Sequence, residues 1–295
     1  MNPAPCPPVT RHHAIPDAIE RIVAIGDVHG RADCLSALLR HMEATDRERE
    51  KTAIVLLGDL VDRGPASREV LALAAGALGR WPDSVLCLGN HDDWFRRFLL
   101  GDPELADGID LWLMQGGEET LLSLDVNPEA LGRARDTIRR DHPEILDLLA
   151  ASAMLGTFGA LVFVHAGIDP KRSIEAQRNR DCLWIRSPFL DHRGPLPGLV
   201  LHGHTPQTPP LAHVTENRIS LDTGAFATGI LTAIDIDTRQ SEARFWATQP
   251  GSLEITSVEP RLLERGFGTA VVAKPGSPGV YALSSAPARQ RSSDA

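Results

Sequence analysis

The stretch that decides the fold is Arg21–Gly30, which reads RIVAIGDVHG. It opens with a short apolar run suited to a buried strand and continues into a polar loop that has glycine at both ends. Leu35, Leu38, Leu39 and Met42 then recur at helical spacing and predict a helix. A strand, a polar loop and a helix therefore follow one another in this part of the chain.

The same pattern occurs twice more. Ala53–Leu57 and Ser84–Leu88 are predicted as buried strands, and each is followed by a polar loop and an apolar helix face. Strand, loop and helix in succession predict β-α-β units and a parallel sheet. Because crossovers between parallel strands are right-handed, we expect all three loops at one sheet edge, outside the carboxyl ends of the strands.

The rest of the chain predicts one domain with extensions at both ends. Residues 1–19 are rich in proline and are expected to be a disordered leader, and residues 20–250 form the domain. Within the domain, residues 101–155 are predicted to be a mainly helical insertion that flanks the site. Residues 251–295 are predicted to be a C-terminal extension, of which 285–295 are disordered.

Short strands are expected after the insertion. Their close spacing predicts a second sheet, mostly antiparallel. These strands are Leu161–Val164, Leu199–Leu201, Arg218–Leu221, Gly229–Asp235 and Ala243–Trp246.

The composition favours a cytoplasmic globular protein. The formal net charge of −9 argues against binding to nucleic-acid backbone, which requires clustered Lys and Arg. The four cysteines are scattered and form no C-x-x-C pair, so neither a disulfide scaffold nor a thiolate zinc site is expected. The N-terminus lacks the apolar segment of a secretory signal, and no apolar run is long enough to predict a membrane span.

Side chains that bind divalent metals follow the predicted strands. Carboxylate, carboxamide and imidazole ligands without thiolate suit Mn, Fe, Zn or Mg. The three loops carry Asp27 and His29, Asp59 and Asp62, and Asn90 and His91, and two later strand ends add His165 and His204. Each motif alone is weak, since an Asp at a strand end is usually a turn or cap residue, but five such sites in order indicate a metal centre.

These motifs resemble those of the calcineurin-like metallophosphoesterases. Gly-Asp-x-His-Gly, Gly-Asp-x-Val-Asp-Arg-Gly and Gly-Asn-His-Asp are similar to the family's three core motifs, and His165-Ala-Gly and Gly-His204-Thr resemble its later metal-binding histidines. The Val61–Gly64 segment is similar to the phosphoprotein phosphatase (PPP) branch, and Leu183–Arg186 and Leu221–Gly224 resemble its bacterial members. The resemblance covers about residues 21–235. It implies an α/β fold, a four-layer α/β/β/α sandwich with mixed sheets and a β-α-β-α-β metal-binding core.

The resemblance also implies a role for each site residue. Asp27 and His29 are expected to hold one metal, Asp59 to bridge two, and Asn90, His165 and His204 to complete the second. Two divalent metals, Mn²⁺ first among the candidates, are expected to share a bridging water and to aim it at phosphorus.

The remaining implied roles concern the leaving group and the phosphate. His91 is expected to protonate the leaving oxygen, with Asp62 orienting it. Arg63 is expected to bind the phosphoryl oxygens, and Arg186 is a candidate for a second phosphate contact that could equally be a surface arginine. His202 is interpreted as a residue that supports the neighbouring ligands or is structural, and Asp222 either supports the site or serves a strand-end turn.

Two substrate classes remain open on the sequence. Asp92 stands where many protein phosphatases of the family have Glu, and Leu88 stands where Ser/Thr phosphatases commonly have an arginine that contacts phosphate. Leu-Gly-Asn-His-Asp resembles the symmetrical diadenosine tetraphosphatases, whereas Val-Asp-Arg-Gly resembles the protein phosphatases. We favour a Ser/Thr phosphoprotein phosphatase, with a symmetrical bis(5'-nucleosyl)-tetraphosphatase as the alternative.

Two other classes fit the sequence less well. A nuclease of the same superfamily is disfavoured by the acidic charge and by Val-Asp-Arg-Gly. A non-catalytic module that binds phosphorylated ligands is disfavoured because all six candidate ligands, His91 and Asp62 are present.

Overall fold

The three strand–loop–helix units are present in the computed structural model, which describes residues 10–46, 48–263 and 270–283. Its strands β2, β3 and β4 are parallel neighbours, with Ile25 opposite Leu56 and Leu56 opposite Leu86. Their carboxyl ends therefore lie side by side, as predicted, and the three polar loops leave the sheet at one edge.

The described strands form two sheets. The strands are β1 (Thr10–Ala14), β2 (Arg21–Ile25), β3 (Thr52–Leu56), β4 (Val85–Leu86), β5 (Ala153–Phe158), β6 (Leu161–Val164), β7 (Leu199–His202), β8 (His213–Val214), β9 (Arg218–Ser220), β10 (Thr232–Asp237), β11 (Glu242–Thr248), β12 (Ile255–Ser257), β13 (Arg261–Leu262), β14 (Val271–Ala273) and β15 (Tyr281–Leu283). The first sheet has the order β14-β15-β11-β10-β2-β3-β4, with β12 on β11, and the second has the order β1-β5-β6-β7-β9-β8-β13.

Helices accompany both sheets. They are α1 (Ala32–Thr45), α2 (Ser67–Arg80), α3 (Asn90–Leu100), α4 (Ile109–Trp112), α5 (Glu118–Ser123), α6 (Leu131–Asp141), α7 (Pro143–Ala150), α8 (Asn179–Trp184) and α9 (Ala225–Thr228). No helix in the described part of the chain is long and apolar enough to cross a membrane.

Alternate residues of the central strands face two different cores. In β2, Val23 and Ile25 pack with the helices, whereas Ile22 and Ala24 pack in a separate cluster that contains residues of both sheets, such as Phe163. A strand buried on both faces needs a continuous apolar run, which is what the sequence of β2 has. The two sheets therefore face each other with helices outside, and the expected α/β/β/α sandwich is confirmed.

The prediction of a mostly antiparallel second sheet from the late strands is wrong. Four of the six neighbouring pairs in that sheet are parallel, and β10 and β11 belong to the first sheet, where β10 runs antiparallel to β2. Short strand spacing predicts antiparallel hairpins only where neighbours in sequence pair, and here β6, β7 and β9 pair across intervening loops.

The predicted extensions are also corrected. Residues 10–14 are not a loose leader, because β1 pairs in parallel with β5, and Ile15 and Ile19 after it are buried. The helical insertion ends before residue 155, since β5 begins at Ala153. The C-terminal extension supplies strands to both sheets. The disorder predicted for residues 1–9 and 285–295 concerns residues outside those described.

Candidate active site

The site lies at the sheet edge where the loops after β2, β3 and β4 meet the loops after β6 and β7. Five of the eight non-glycine residues with positive φ in the described chain belong to it. Such backbone conformations are unfavourable for residues with a side chain and concentrate where function requires a fixed side-chain direction. These five residues are His29, Asp59, Asp62, Arg63 and His204.

Asp59 lies between two groups of candidate metal ligands. Its Oδ2 is 3.3 Å from His29 Nε2, and its Oδ1 is 3.4 Å from His165 Nε2. Among the described residues, two clusters could hold a cation, one with His29 and His91 and the other with His165 and His204, and Asp59 belongs to both. This position between the two clusters is the one that the bridging role requires.

The tautomers of two histidines fit metal binding. His29 Nδ1 lies 2.8 Å from the carbonyl oxygen of Val61, and His165 Nδ1 lies 2.8 Å from that of Leu57. A carbonyl oxygen only accepts, so each Nδ1 donates a proton to it and Nε2 is the ring nitrogen that faces Asp59. This leaves Nε2 of each ring as the nitrogen that could bind a metal ion beside Asp59.

Asn90 and Asp27 complete the set of candidate ligands. Asn90 Oδ1 lies 2.9 Å from His165 Nε2 and 2.8 Å from His204 Nδ1. Asp27 accepts a hydrogen bond from the backbone N–H of His204 at 3.0 Å, and a Cβ at Gly203 would overlap Asp27 Oδ1. All six side chains predicted as metal ligands are thus buried in one place, where their donor types suit a hard or borderline divalent ion.

The electrostatics of the buried carboxylates also fit a cation. Burial and the charges of Asp222 and Asp59 raise the pKa of Asp27 well above its usual value. Burial also raises the pKa of Asp59, but the nearby imidazoles of His165, His91 and His29 outweigh it and hold that pKa well below its usual range. Divalent cations would stabilise the charged form of every carboxylate in this cluster.

His91 is held by Asp62, as the sequence predicts. His91 Nδ1 lies 2.7 Å from Asp62 Oδ2, which leaves Nε2 to face the site. Asp62 also accepts from Trp112 Nε1 at 2.9 Å and from Thr120 Oγ1 at 2.6 Å, and its own N–H donates to Thr120 Oγ1 at 2.8 Å. Asp62, Trp112 and Thr120 are fully buried, so these bonds fix the carboxylate that orients His91.

Trp112 and Thr120 were not singled out by the sequence analysis. They flank the Leu113–Gly117 turn, whose sequence Leu-Met-Gln-Gly-Gly indicates only a break between helices. The turn packs against the second loop so closely that a Cβ at Gly116 would overlap the backbone nitrogen of Arg63. The sequence signal is a tryptophan four residues before a glycine pair, which identifies no partner.

The two predicted phosphate contacts differ in setting. The guanidinium of Arg63 is half-buried, lies 3.0 Å from Nε2 of both His29 and His91, and stacks 4.9 Å above the ring of Phe226. Arg186 is exposed. It borders the site closely enough that its positive charge contributes to the lowered pKa of His204, after the larger effects of burial and His165.

The two residues that leave the substrate open on the sequence, Leu88 and Asp92, are fully buried. Leu88 is fully buried in the apolar core. Asp92 accepts hydrogen bonds from the backbone N–H groups of Leu60 at 2.9 Å and Gly89 at 3.1 Å, so it ties the second loop to the third. His202, interpreted as structural, is buried edge-on against Phe189. Asp222 is buried and accepts from Gly224 N–H at 2.9 Å.

Comparisons with known proteins agree with this geometry. A family model described as calcineurin-like phosphoesterase matches residues 20–228. Serine/threonine-protein phosphatase 1 of Salmonella typhimurium is 29% identical over 213 residues, which are 70% of this chain and 88% of that protein. The symmetrical bis(5'-nucleosyl)-tetraphosphatase of Methylobacillus flagellatus is 31% identical over 157 residues.

The coverage of these relatives is unequal. The match to the tetraphosphatase takes in 52% of this chain and 45% of that enzyme, so the chain spans about half of its length. The crystal structure of a cold-active protein-tyrosine phosphatase from a Shewanella species superposes with a TM-score of 0.51 at 16% identity, covering 85% of this chain and 82% of that one. At this identity the likeness concerns the fold alone. The chain is therefore a member of the calcineurin-like phosphoesterase family, a hydrolase that acts on phosphoester bonds.

Proposed function

We propose that the protein is a two-metal phosphoesterase that removes phosphate from phosphorylated serine and threonine in proteins. Asp27 and His29 would hold one ion, Asn90, His165 and His204 the other, and Asp59 both. When bound, two such ions lower the pKa of a water molecule and neutralise the phosphoryl oxygens. The observation that carries this proposal is the position of Asp59 between the Nε2 atoms of His29 and His165.

The metal proposed first is Mn²⁺. The ligand set is carboxylate, carboxamide and imidazole with no thiolate, which also suits Fe, Zn or Mg. The neutral form that a metal requires is favoured at two of the three histidines. Burial and the charge of His165 lower the pKa of His204 to about 3, and burial lowers the pKa of His165.

His91 would deliver the proton to the leaving oxygen. Its Nδ1–H is donated to Asp62, so Nε2 is the atom that faces substrate and carries the transferable proton. The carboxylate of Asp62 stabilises the imidazolium form and prevents the ring from turning. Positioned acids of this kind contribute on the order of 10²- to 10⁴-fold to the rate.

Arg63 and Arg186 would bind the phosphoryl group. A guanidinium presents parallel N–H groups that match two phosphoryl oxygens and stabilise the charge that develops there. Arg63 already lies between His29 and His91, where a phosphoryl group in the site must come. Binding of a metal by His29 Nε2 competes with the hydrogen bond from Arg63 and would release the guanidinium to the substrate.

A phosphoprotein substrate is supported by two observations. The relative named as a serine/threonine-protein phosphatase matches over 70% of this chain and 88% of its own length. Leu88 and Asp92, which resemble the tetraphosphatases, lie in the core and in a backbone-capping position, so they do not contact substrate.

A symmetrical bis(5'-nucleosyl)-tetraphosphatase is the second candidate. Several relatives of that name match about half of this chain at around 30% identity. The reaction chemistry is the same, and the leaving group is a nucleotide instead of a hydroxyl side chain.

A comparison of substrates tests the proposal. The Mn²⁺-loaded protein should hydrolyse a phosphoserine peptide with a higher kcat/KM than diadenosine tetraphosphate, and the His91→Asn variant should be nearly inactive on both. Turnover of the dinucleotide without turnover of the peptide would replace the first candidate by the second. Turnover of neither substrate would refute both.

A further inference from the structure

Two tryptophans lie beside the catalytic histidine without a role in the mechanism above. The ring of Trp94 contacts that of His91 edge-on at 5.1 Å, and Trp184 contacts Trp94 edge-on at 4.9 Å. Trp184 in turn lies 6.0 Å from the ring of His204. The two indoles thus form a continuous aromatic wall, the Trp94–Trp184 pair, from the proposed acid to a ligand of the second metal.

The exposure of Trp184 is unusual for the described chain. Trp81 and Trp112 are at most 1% exposed, as expected for large apolar side chains in a core, whereas Trp184 is 39% exposed. Its place is fixed, because the carbonyl of Cys182 in the same helix accepts from the N–H of Ala166, next to His165, at 2.8 Å. An indole whose helix is anchored beside the site and whose side chain is partly open to solvent is suited to bind a planar ring.

We propose that the Trp94–Trp184 pair is a subsite for the aromatic ring of an aryl phosphate, and that its natural ligand is the phenyl ring of phosphotyrosine. The proposal rests on the proposed phosphoprotein phosphatase function and adds tyrosine to serine and threonine as a leaving group. Trp94 touches the residue that would protonate the leaving oxygen, so the pair lies on the leaving-group side of the phosphorus.

The position of Arg186 supports the same assignment. Ile185 is buried, whereas Trp184 and Arg186 on either side of it are exposed, so one short segment presents an indole and a guanidinium together. A guanidinium beside an aromatic face matches a phosphate that is bonded directly to a planar ring.

A nucleobase fits the pair less well than a phenyl ring. In phosphotyrosine the ring is bonded to the leaving oxygen itself, so it must lie beside the group that protonates that oxygen. In a dinucleoside tetraphosphate a ribose and further phosphates separate the base from the scissile bond. Trp94 and Trp184 contact His91 and His204 directly, so they lie where the ring of phosphotyrosine would be, close to the phosphorus. The overall reaction is unchanged: water cleaves the P–O bond and yields tyrosine and phosphate.

Matched peptides that differ only in phosphotyrosine or phosphoserine test this subsite. Trp184→Ala should lower kcat/KM for the phosphotyrosine peptide about tenfold, which corresponds to about 1.4 kcal/mol and is near the upper end of what an aromatic contact contributes. For the phosphoserine peptide the loss should be less than about twofold. Trp184→Phe should retain most of the difference between the peptides. Val272→Ala removes an exposed apolar side chain of β14 and should change neither value.

The same variants distinguish failure of the subsite from failure of the phosphoprotein phosphatase function. Equal losses on both peptides, or no loss on either, would overturn the subsite. A loss on diadenosine tetraphosphate with an unchanged phosphotyrosine rate would assign the pair to a nucleobase and overturn the tyrosine assignment. If wild-type protein hydrolyses neither peptide, the phosphoprotein function fails, but the ratio of phenyl phosphate to glycerol 2-phosphate turnover still decides the subsite. That ratio should fall about tenfold in Trp184→Ala, and an unchanged ratio would refute the proposal.

Discussion

Asp59 is unusual both in its backbone conformation and in the burial of its carboxylate. Its backbone has a φ of 49°, which is unfavourable for a residue with a Cβ, and its carboxylate is buried between imidazoles. Three site loops share such conformations, so the backbone is strained where the ligands converge. Strain of this kind persists only where surrounding contacts hold the backbone in place. Here Asp92 accepts hydrogen bonds from the N–H groups of Leu60 in the second loop and Gly89 in the third.

At the residue scale, His91→Asn should separate acid catalysis from metal binding. The amide cannot donate an acidic proton, so kcat should fall about 10²- to 10⁴-fold while the bound metal measured by elemental analysis stays near that of the wild type. His142→Asn, a histidine outside the site, is the matched control. Loss of metal in His91→Asn would mean that His91 is itself a ligand.

The residues that meet at the site were predictable because each belongs to a short motif at a strand end. Asp27, Asp59 and Asn90 needed only the β-α-β pattern and the parallel arrangement to be brought together. Trp112 and Thr120 were not predictable, because their bonds to Asp62 span 50 and 58 residues and leave no local pattern.

At the element scale, the helical segment from α4 to α5 holds the carboxylate that orients His91 in the proposed mechanism. It supplies the two hydrogen bonds that hold Asp62, and its central turn packs on Arg63. The sequence predicted its helical character and its place beside the site. It could not predict which side chains point at Asp62, since that depends on the turn at Gly116, whose φ is 112°.

Thr120→Val tests this function of the segment. The variant removes the hydroxyl that donates to the buried carboxylate of Asp62, and the loss of such a hydrogen bond costs about 1.5–3 kcal/mol. We therefore expect kcat to fall at least about tenfold, with unchanged metal content. Thr120→Ser should restore activity because it keeps the hydroxyl. Thr238→Val, which removes a similar hydrogen bond far from the site, should leave kcat unaltered. A normal kcat in Thr120→Val would show that Asp62 is positioned without it.

At the scale of the whole molecule, both sheets are completed by segments that carry no motif. The first β-α-β units could be predicted because their strands are apolar runs buried on both faces. The strand β1, with the sequence Thr-Arg-His-His-Ala, has no such run and is held by pairing with β5. An edge strand of this kind depends on a partner that is distant in sequence, so its own residues do not reveal it. The prolines nearby therefore predict a disordered leader instead.

Deletion of residues 1–14 tests the place of β1 in the fold. The variant should lose the pairing with β5 and the bond between His12 and Thr157, and its free energy of unfolding should fall by about 1–3 kcal/mol. Calorimetry should show a melting temperature lower by several degrees, with kcat at low temperature near that of the intact chain. An unchanged melting temperature would favour the leader interpretation.

The central claim is that two metals, joined by Asp59, drive the reaction. The most direct test is to strip the protein of metal, titrate it with Mn²⁺, and measure bound metal and phosphatase activity together, for the wild type and for Asp59→Asn. We expect no activity in excess chelator, full recovery at about two ions per chain, and neither tight binding nor recovery in Asp59→Asn. Full activity in excess chelator, or an unchanged metal content in Asp59→Asn, would contradict it.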